Sequence, residues 1–111
     1  MLSQKYPPDV LRRTLIPRAA WKPYPPACER DAWEGLPGDV REAHLERGER
    51  ALGFQWPPLP ATRLLDYVRE GDRERYQGLS FARRTALRDL VLAECTEARG
   101  RFLDDIPAAV W

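Results

Sequence analysis

What this chain holds little of bounds it first. It has 2 cysteines and 1 histidine in 111 residues, and Lys+Arg 18 against Asp+Glu 17 leaves a formal net charge of +1. Without an excess of positive charge there is no broad field to attract phosphate backbones or anionic lipid. Nucleic acid and membrane surfaces therefore drop out as expected partners. No apolar stretch approaches the roughly 20 residues that a membrane span requires. Cys28 and Cys95 form no C-x-x-C pair and match no metal-ligand spacing, so two free, partly buried thiols and no cofactor are the expectation, with a disulfide between them as the alternative. No alternating run of β-branched residues occurs, which argues against a sheet. The start, Met1-Leu2-Ser3-Gln4-Lys5-Tyr6-Pro7-Pro8, lacks the positive segment and apolar run of a secretory signal. A cytoplasmic chain is expected as written, with a periplasmic or secreted location open to a longer parent.

What is present reads as a folded helical domain. Hydrophobic residues make up 43% and charged residues 32%, a balance that supports a packed core. Of the 11 prolines, Pro7, Pro8, Pro17, Pro23, Pro25 and Pro26 precede Ala27. Proline withholds a backbone donor and restricts its predecessor, so residues 1–28 are expected as an extended, proline-rich arm. A short helix over Asp9–Thr14 is the exception. Residues 29–111 then form the helical domain.

The spacing predicts a helix over Gly38–Leu52, with Asp39 and Glu42 in its first turn, stopped by Gly53. A stiff link, Phe54-Gln55-Trp56-Pro57-Pro58-Leu59-Pro60, leads to a second helix over Ala61–Glu70 that ends at Gly71. A single helical turn is expected around Arg73–Tyr76, before Gly78. Ser80 then reads as the N-cap of a third helix, with Leu87, Leu90, Val91, Cys95 and Ala98 as its apolar stripe and Gly100 as its stop. Arg101–Ala109 begins another helical stretch, weakened by Pro107. Helices joined at single glycines fold back as antiparallel hairpins, so the class is all-α.

Few residues carry chemistry. Glu94 interrupts the stripe. It is read either as an edge residue whose carboxylate reaches water or as a structural ion pair with Arg101 or an arginine of another helix, and a catalytic role is the weakest alternative. His44 is a lone histidine among surface glutamates, with no thiolate or carboxylate set to make a metal site. Ser3 and Ser80 lack a nucleophile-elbow context. Tyr67 and Tyr76 serve proton transfer only if shifted well below a reference value of about 10, so packing is preferred. Trp21, Trp33, Trp56 and Trp111 sit beside Pro, Gly or a chain end. Such rings either plug gaps between helices or stack on sugar faces. The stretch Trp21-Lys22-Pro23-Tyr24-Pro25-Pro26 also has some character of a polyproline ligand.

Four segments in order carry a resemblance. They are Arg30-Asp31-Ala32-Trp33, Trp56-Pro57-Pro58-Leu59-Pro60-Ala61-Thr62, Leu65-Asp66-Tyr67-Val68-Arg69-Glu70-Gly71-Asp72-Arg73, and Leu90-Val91-Leu92-Ala93-Glu94-Cys95-Thr96-Glu97-Ala98-Arg99-Gly100-Arg101-Phe102-Leu103-Asp104. In series, over residues 29–111, they resemble the amino-terminal part of the heparinase II/III-like polysaccharide lyases. The resemblance implies the start of an incomplete α/α toroid of antiparallel helical hairpins, normally followed by a β-rich domain.

It also implies a parent that cleaves uronic-acid-containing polysaccharides by β-elimination, with Tyr or His as base. The family's catalytic Asn, His and Tyr lie beyond the matched segments, so no residue here inherits a catalytic role. Glu94 and Arg101 match at positions that look structural, and Trp33 and Trp56 are left as aromatics that would face carbohydrate. The chain ends before the family's Glu-Glu-x-x-Trp and Pro-Ala-His pattern. The expectation is thus a fragment with one apolar face open to the missing remainder of the toroid or to self-association. The alternative is a free-standing helical protein-interaction module that uses that face or the proline-rich arm.

Overall fold

Most of the structure is organised around one long helix. A computed structural model of the chain describes residues 1–109 and contains, in order, α1 (Leu2–Lys5), α2 (Pro8–Thr14), α3 (Arg30–Glu34), α4 (Gly38–Ala51), α5 (Ala61–Glu70), α6 (Glu74–Glu97) and α7 (Asp105–Ala108). Among the described residues there is no strand, so the class is all-α. Trp111 lies outside the described residues.

α6 has 24 residues and is about 36 Å long at 1.5 Å per residue. α4 lies antiparallel along its C-terminal half: Leu45 neighbours Thr96 and Glu97, while Ala51 and Phe54 neighbour Ala82 and Ala86. α5 folds back along the N-terminal half, with Gly71 in the left-handed conformation (φ 71) at the bend. Only glycine adopts that conformation without strain, which is why the hairpin turns there.

The core is small. Ala51, Ala86, Leu90, Ala93 and Phe102 form a buried cluster, and Leu45, Leu52, Phe54, Trp56 and Ile106 pack around it. Leu90 and Phe102 are fully buried, each contributing about 1.5–3 kcal/mol relative to exposure. Trp33 of α3 is buried, and its indole N–H donates to the Pro26 carbonyl at 3.1 Å. Arg30 fastens α3 to the end of α6, donating to the Cys95 carbonyl at 2.6 Å and the Thr96 carbonyl at 3.1 Å. Those carbonyls belong to the last turn of α6, where no further amide of the helix reaches them.

The structure corrects several expectations about α6 and the chain after it. α6 is continuous from Glu74, so neither Gly78 nor Ser80 breaks it. Its start is capped by Asp72, whose Oδ1 accepts the N–H of Glu74 at 3.0 Å and of Arg75 at 3.3 Å. Ser80 is buried in mid-helix.

The buried stripe is also rotated. Ala86, Asp89, Leu90, Ala93 and Thr96 face inward, whereas Val91 and Ala98 are exposed. Close approach of α4 selects the face with small side chains over the face with larger ones. The helix stops at Glu97 through Ala98 in the left-handed region (φ 55), two residues before Gly100. Only Asp105–Ala108 of the expected Arg101–Ala109 stretch is α-helical.

The amino-terminal segment is mixed. α2 begins at Pro8, at the first helical position that proline favours, and α1 precedes it. The short helix expected over Asp9–Thr14 is thus present as α2, the four-residue α1 is an addition to it, and the chain from Leu15 to Glu29 is non-helical. Leu15, Ile16, Trp21 and Tyr24 of that chain are exposed.

The whole exposes 8733 Å², against about 6,300 Å² for a compact monomer of this mass. Its radius of gyration, 19.5 Å, likewise exceeds the about 13 Å of a compact chain of this length.

Candidate functional site

The end of α6 brings Glu94 and Arg101 close together without pairing them. Glu94 turns its carboxylate onto the backbone that follows the helix. One oxygen accepts the Gly100 N–H at 2.8 Å and the other the Phe102 N–H at 3.2 Å. Arg101 pairs instead with Glu97 (Nε to Oε2, 2.9 Å) and reaches Glu49 of α4 (Nη2 to Oε1, 2.9 Å). Its guanidinium also lies 4.5 Å from the Phe102 ring centroid. The expected Glu94–Arg101 pair is thus replaced by two separate devices, because residues 98–102 fold back over the helix end instead of continuing it.

The hydrogen bonds that Arg101 donates to Glu97 and then to Glu49 raise its pKa above the ordinary value. The same Arg101 hydrogen bond holds Glu97 below the usual glutamate value. These contacts tie α4 and the end of α6 to the chain that follows α6.

The aromatics divide. Trp33 is only 4% exposed and presents no ring face on which a sugar could stack. Burial of the ring, with its N–H on the Pro26 carbonyl, removes it as a carbohydrate-facing residue. Trp56 is half-buried, edge-on to Phe54 at 5.0 Å between centroids, with the Arg83 guanidinium 5.5 Å from its ring centroid. Arg83 also donates to the Pro57 carbonyl at 2.8 Å and the Ala109 carbonyl at 2.7 Å. Trp21 is exposed on the segment before α3.

His44 is half-buried, its Nδ1 lying 3.0 Å from an Arg47 nitrogen. Burial, reinforced by the Arg47 charge, lowers its pKa below the ordinary histidine value. Cys28 is exposed and Cys95 half-buried, and both are free. Burial pushes the Cys95 thiol up, away from the reactive thiolate. Among the described residues, no group of three His, Cys, Asp or Glu side chains is placed to hold a metal ion. No helix there is long and apolar enough to cross a membrane.

The surface with most binding character lies elsewhere, between α5 and the first half of α6. Leu64, Tyr67, Arg73, Tyr76, Gln77, Ser80, Phe81 and Arg84 line an open cavity of about 410 Å³. α5 is strongly amphipathic, yet its apolar side is turned largely to solvent. Val68 is 77% exposed, Leu64 53% and Phe81 52%.

The one inward-leaning side chain of α5 is charged: Asp66, held by Arg63 and Arg75 at 3.7 Å each. Tyr67 and Tyr76, which the sequence offers only as proton donors or packing residues, meet at this groove. Phe81 and Arg84 escape a reading of the sequence. The signal available is their i, i+3 placement beside Gln77 and Ser80, hidden by taking Ser80 as a helix start. Compared with protein-family models and with curated proteins, the chain matches none.

Proposed function

We propose that this chain is the leading helical portion of a heparinase II/III-like polysaccharide lyase, a scaffold for the remaining hairpins of a toroid and without catalysis of its own. The observation that carries the reading is the outward apolar face of α5, with Leu64, Leu65 and Val68 exposed beside Phe81 of α6. A monomer rarely leaves contiguous apolar surface of this kind uncovered. A layer of antiparallel hairpins built to receive the next hairpin leaves it by construction. The four ordered segments over residues 29–111 supply the family and the substrate class, uronic-acid polysaccharides. The side chains around Glu94, Arg101 and His44 support the absence of a base poised for β-elimination.

Two measurements test this. Incubation of the purified chain with uronic-acid polymers should give no rise in ultraviolet absorbance from unsaturated product. A rise would refute the non-catalytic assignment. The reading frame beyond Trp111 should encode further helical hairpins and a β-rich domain. A stop codon with no lyase remainder nearby would overturn the lyase reading and leave a free-standing interaction module.

A further inference from the structure

Resting on the reading that the α5 face receives a further hairpin, the chemistry of the α5–α6 groove specifies what kind of helix covers it. Its walls are apolar and aromatic, from Leu64, Tyr67, Tyr76 and Phe81, and the apolar surface continues along α5 to Val68. Its rim is basic. The Arg73 guanidinium lies 5.2 Å from the Tyr67 ring centroid and the Arg84 guanidinium 5.9 Å from that of Phe81.

Among the described residues neither arginine makes an ion pair. Asp66, Glu70 and Asp72 are instead gathered onto Arg75 at 3.7, 3.1 and 2.8 Å, which leaves Glu74, in the first turn of α6, as the carboxylate of this hairpin without an ion pair among the described residues. Arg73 has a single long contact, 3.4 Å to the Tyr67 hydroxyl. The groove therefore presents two anchored cations with most of their donors unspent, and none of the residues lining it is a carboxylate.

We infer that the groove between α5 and α6 receives an amphipathic helix from the remaining hairpins, apolar along one stripe and acidic on both flanks. The stripe supplies anchors at i, i+3/i+4 and i+7 to Leu64, Phe81 and Val68, as helix-in-groove recognition does. Its flanking carboxylates pair with Arg73 and Arg84, already oriented by the rings beneath them. A second copy of this chain fits the charges poorly. Two-fold pairing of this face would bring Arg73 and Arg84 of both copies together, four cations against the two Glu74 carboxylates not already engaged in ion pairs. A sugar acid would engage the arginines but leave Leu64 and Val68 uncovered.

The test uses a fluorescein-labelled synthetic helix of roughly 18 residues, with Leu at i, i+4, i+7 and i+11 and Glu on both flanks, and a control with Lys for every Glu. Anisotropy titration of the full chain should show micromolar binding of the Glu peptide, about tenfold weaker binding of the Lys peptide, and weakening with added salt. R73Q/R84Q should remove that discrimination while circular dichroism stays unchanged. F81D, at an exposed position, should abolish binding of both peptides. Equal binding of the two peptides, or binding of neither, overturns the inference. So does a concentration-dependent dimer in sedimentation that F81D abolishes. A uronic-acid oligosaccharide that binds the parent chain, displaces the Glu peptide and fails to bind R73Q/R84Q would overturn it as well.

Discussion

Gly48 on α4 rests against Ala93 on α6 so closely that a Cβ at position 48 would collide with the Ala93 methyl, and would also lie 3.1 Å from the Phe102 ring and 3.3 Å from the Asp89 carbonyl. Two helices cross at their backbones here, and the remaining core packs around that crossing. Gly48→Ala should therefore destabilise by about 2–3 kcal/mol through overpacking, outweighing the better helix propensity of alanine. Urea melts followed by circular dichroism measure it. A stability equal to that of the parent would mean that the two helices have room to separate at this crossing.

The opposite outcome is expected at Gly78. It lies inside α6 with nothing within 4 Å of an added Cβ. Gly78→Ala should raise stability by about 0.5–1 kcal/mol, since the glycine only adds entropy to the unfolded chain. Thermal melts of the two glycine variants should move in opposite directions.

Glu94 closes the end of α6 by accepting two backbone donors. Glu94→Ala should cost about 1–2 kcal/mol, as loss of hydrogen bonds to a charged acceptor does. Glu94→Gln, which keeps one carbonyl oxygen, should cost less. Amide exchange at Gly100 and Phe102 should quicken in both.

Acid should weaken the fold in two steps. His44 is held below its ordinary value of 6.5 by burial and then by Arg47, so its unfolded form takes up a proton first. Stability from this group is complete above that value and falls as pH drops below it. Glu97 is held below 4.5, chiefly by its Arg101 hydrogen bond. Its contribution is present above that value and is lost as pH falls through the lower folded value. His44→Gln should flatten the first step of a pH–stability profile and Glu97→Gln the second. A profile unchanged by both would contradict the assignment.

Val68 is the most exposed apolar side chain of α5. Val68→Ser should leave stability within about 0.5 kcal/mol of the parent. It should also lower the binding of the dye ANS, which reports accessible apolar surface. A large loss of stability would show that the face is already covered.

Local chemistry makes some elements legible and leaves others hidden. The bounds of α5 are readable because its apolar spacing meets a glycine, Gly71, whose φ of 71 only glycine favours. The start of α4 at Gly38 is readable too. The start of α6 is not: Gly78 and Ser80 carry the local marks of a stop and a cap, but Asp72 caps the helix earlier and Ser80 is drawn into the interior. Glu94 is recognisable as structural, yet its partners lie on a reversing turn whose direction helix spacing does not encode. Gly48 gives no signal at all. A glycine among charged residues reads as a weakness in a helix until the opposing helix is present to make it necessary.

Arg83 ties together parts of the chain that are far apart in sequence. One guanidinium holds the carbonyls of Pro57 and Ala109 and covers the Trp56 ring. The connection between α4 and α5 and the chain just after α7 are thereby knotted at a single point on α6. A pull transmitted along the polypeptide beyond residue 109 would be felt first at that knot and then at the indole beneath it. Tension at one end of the molecule would register in the loop that sets how α5 is hung.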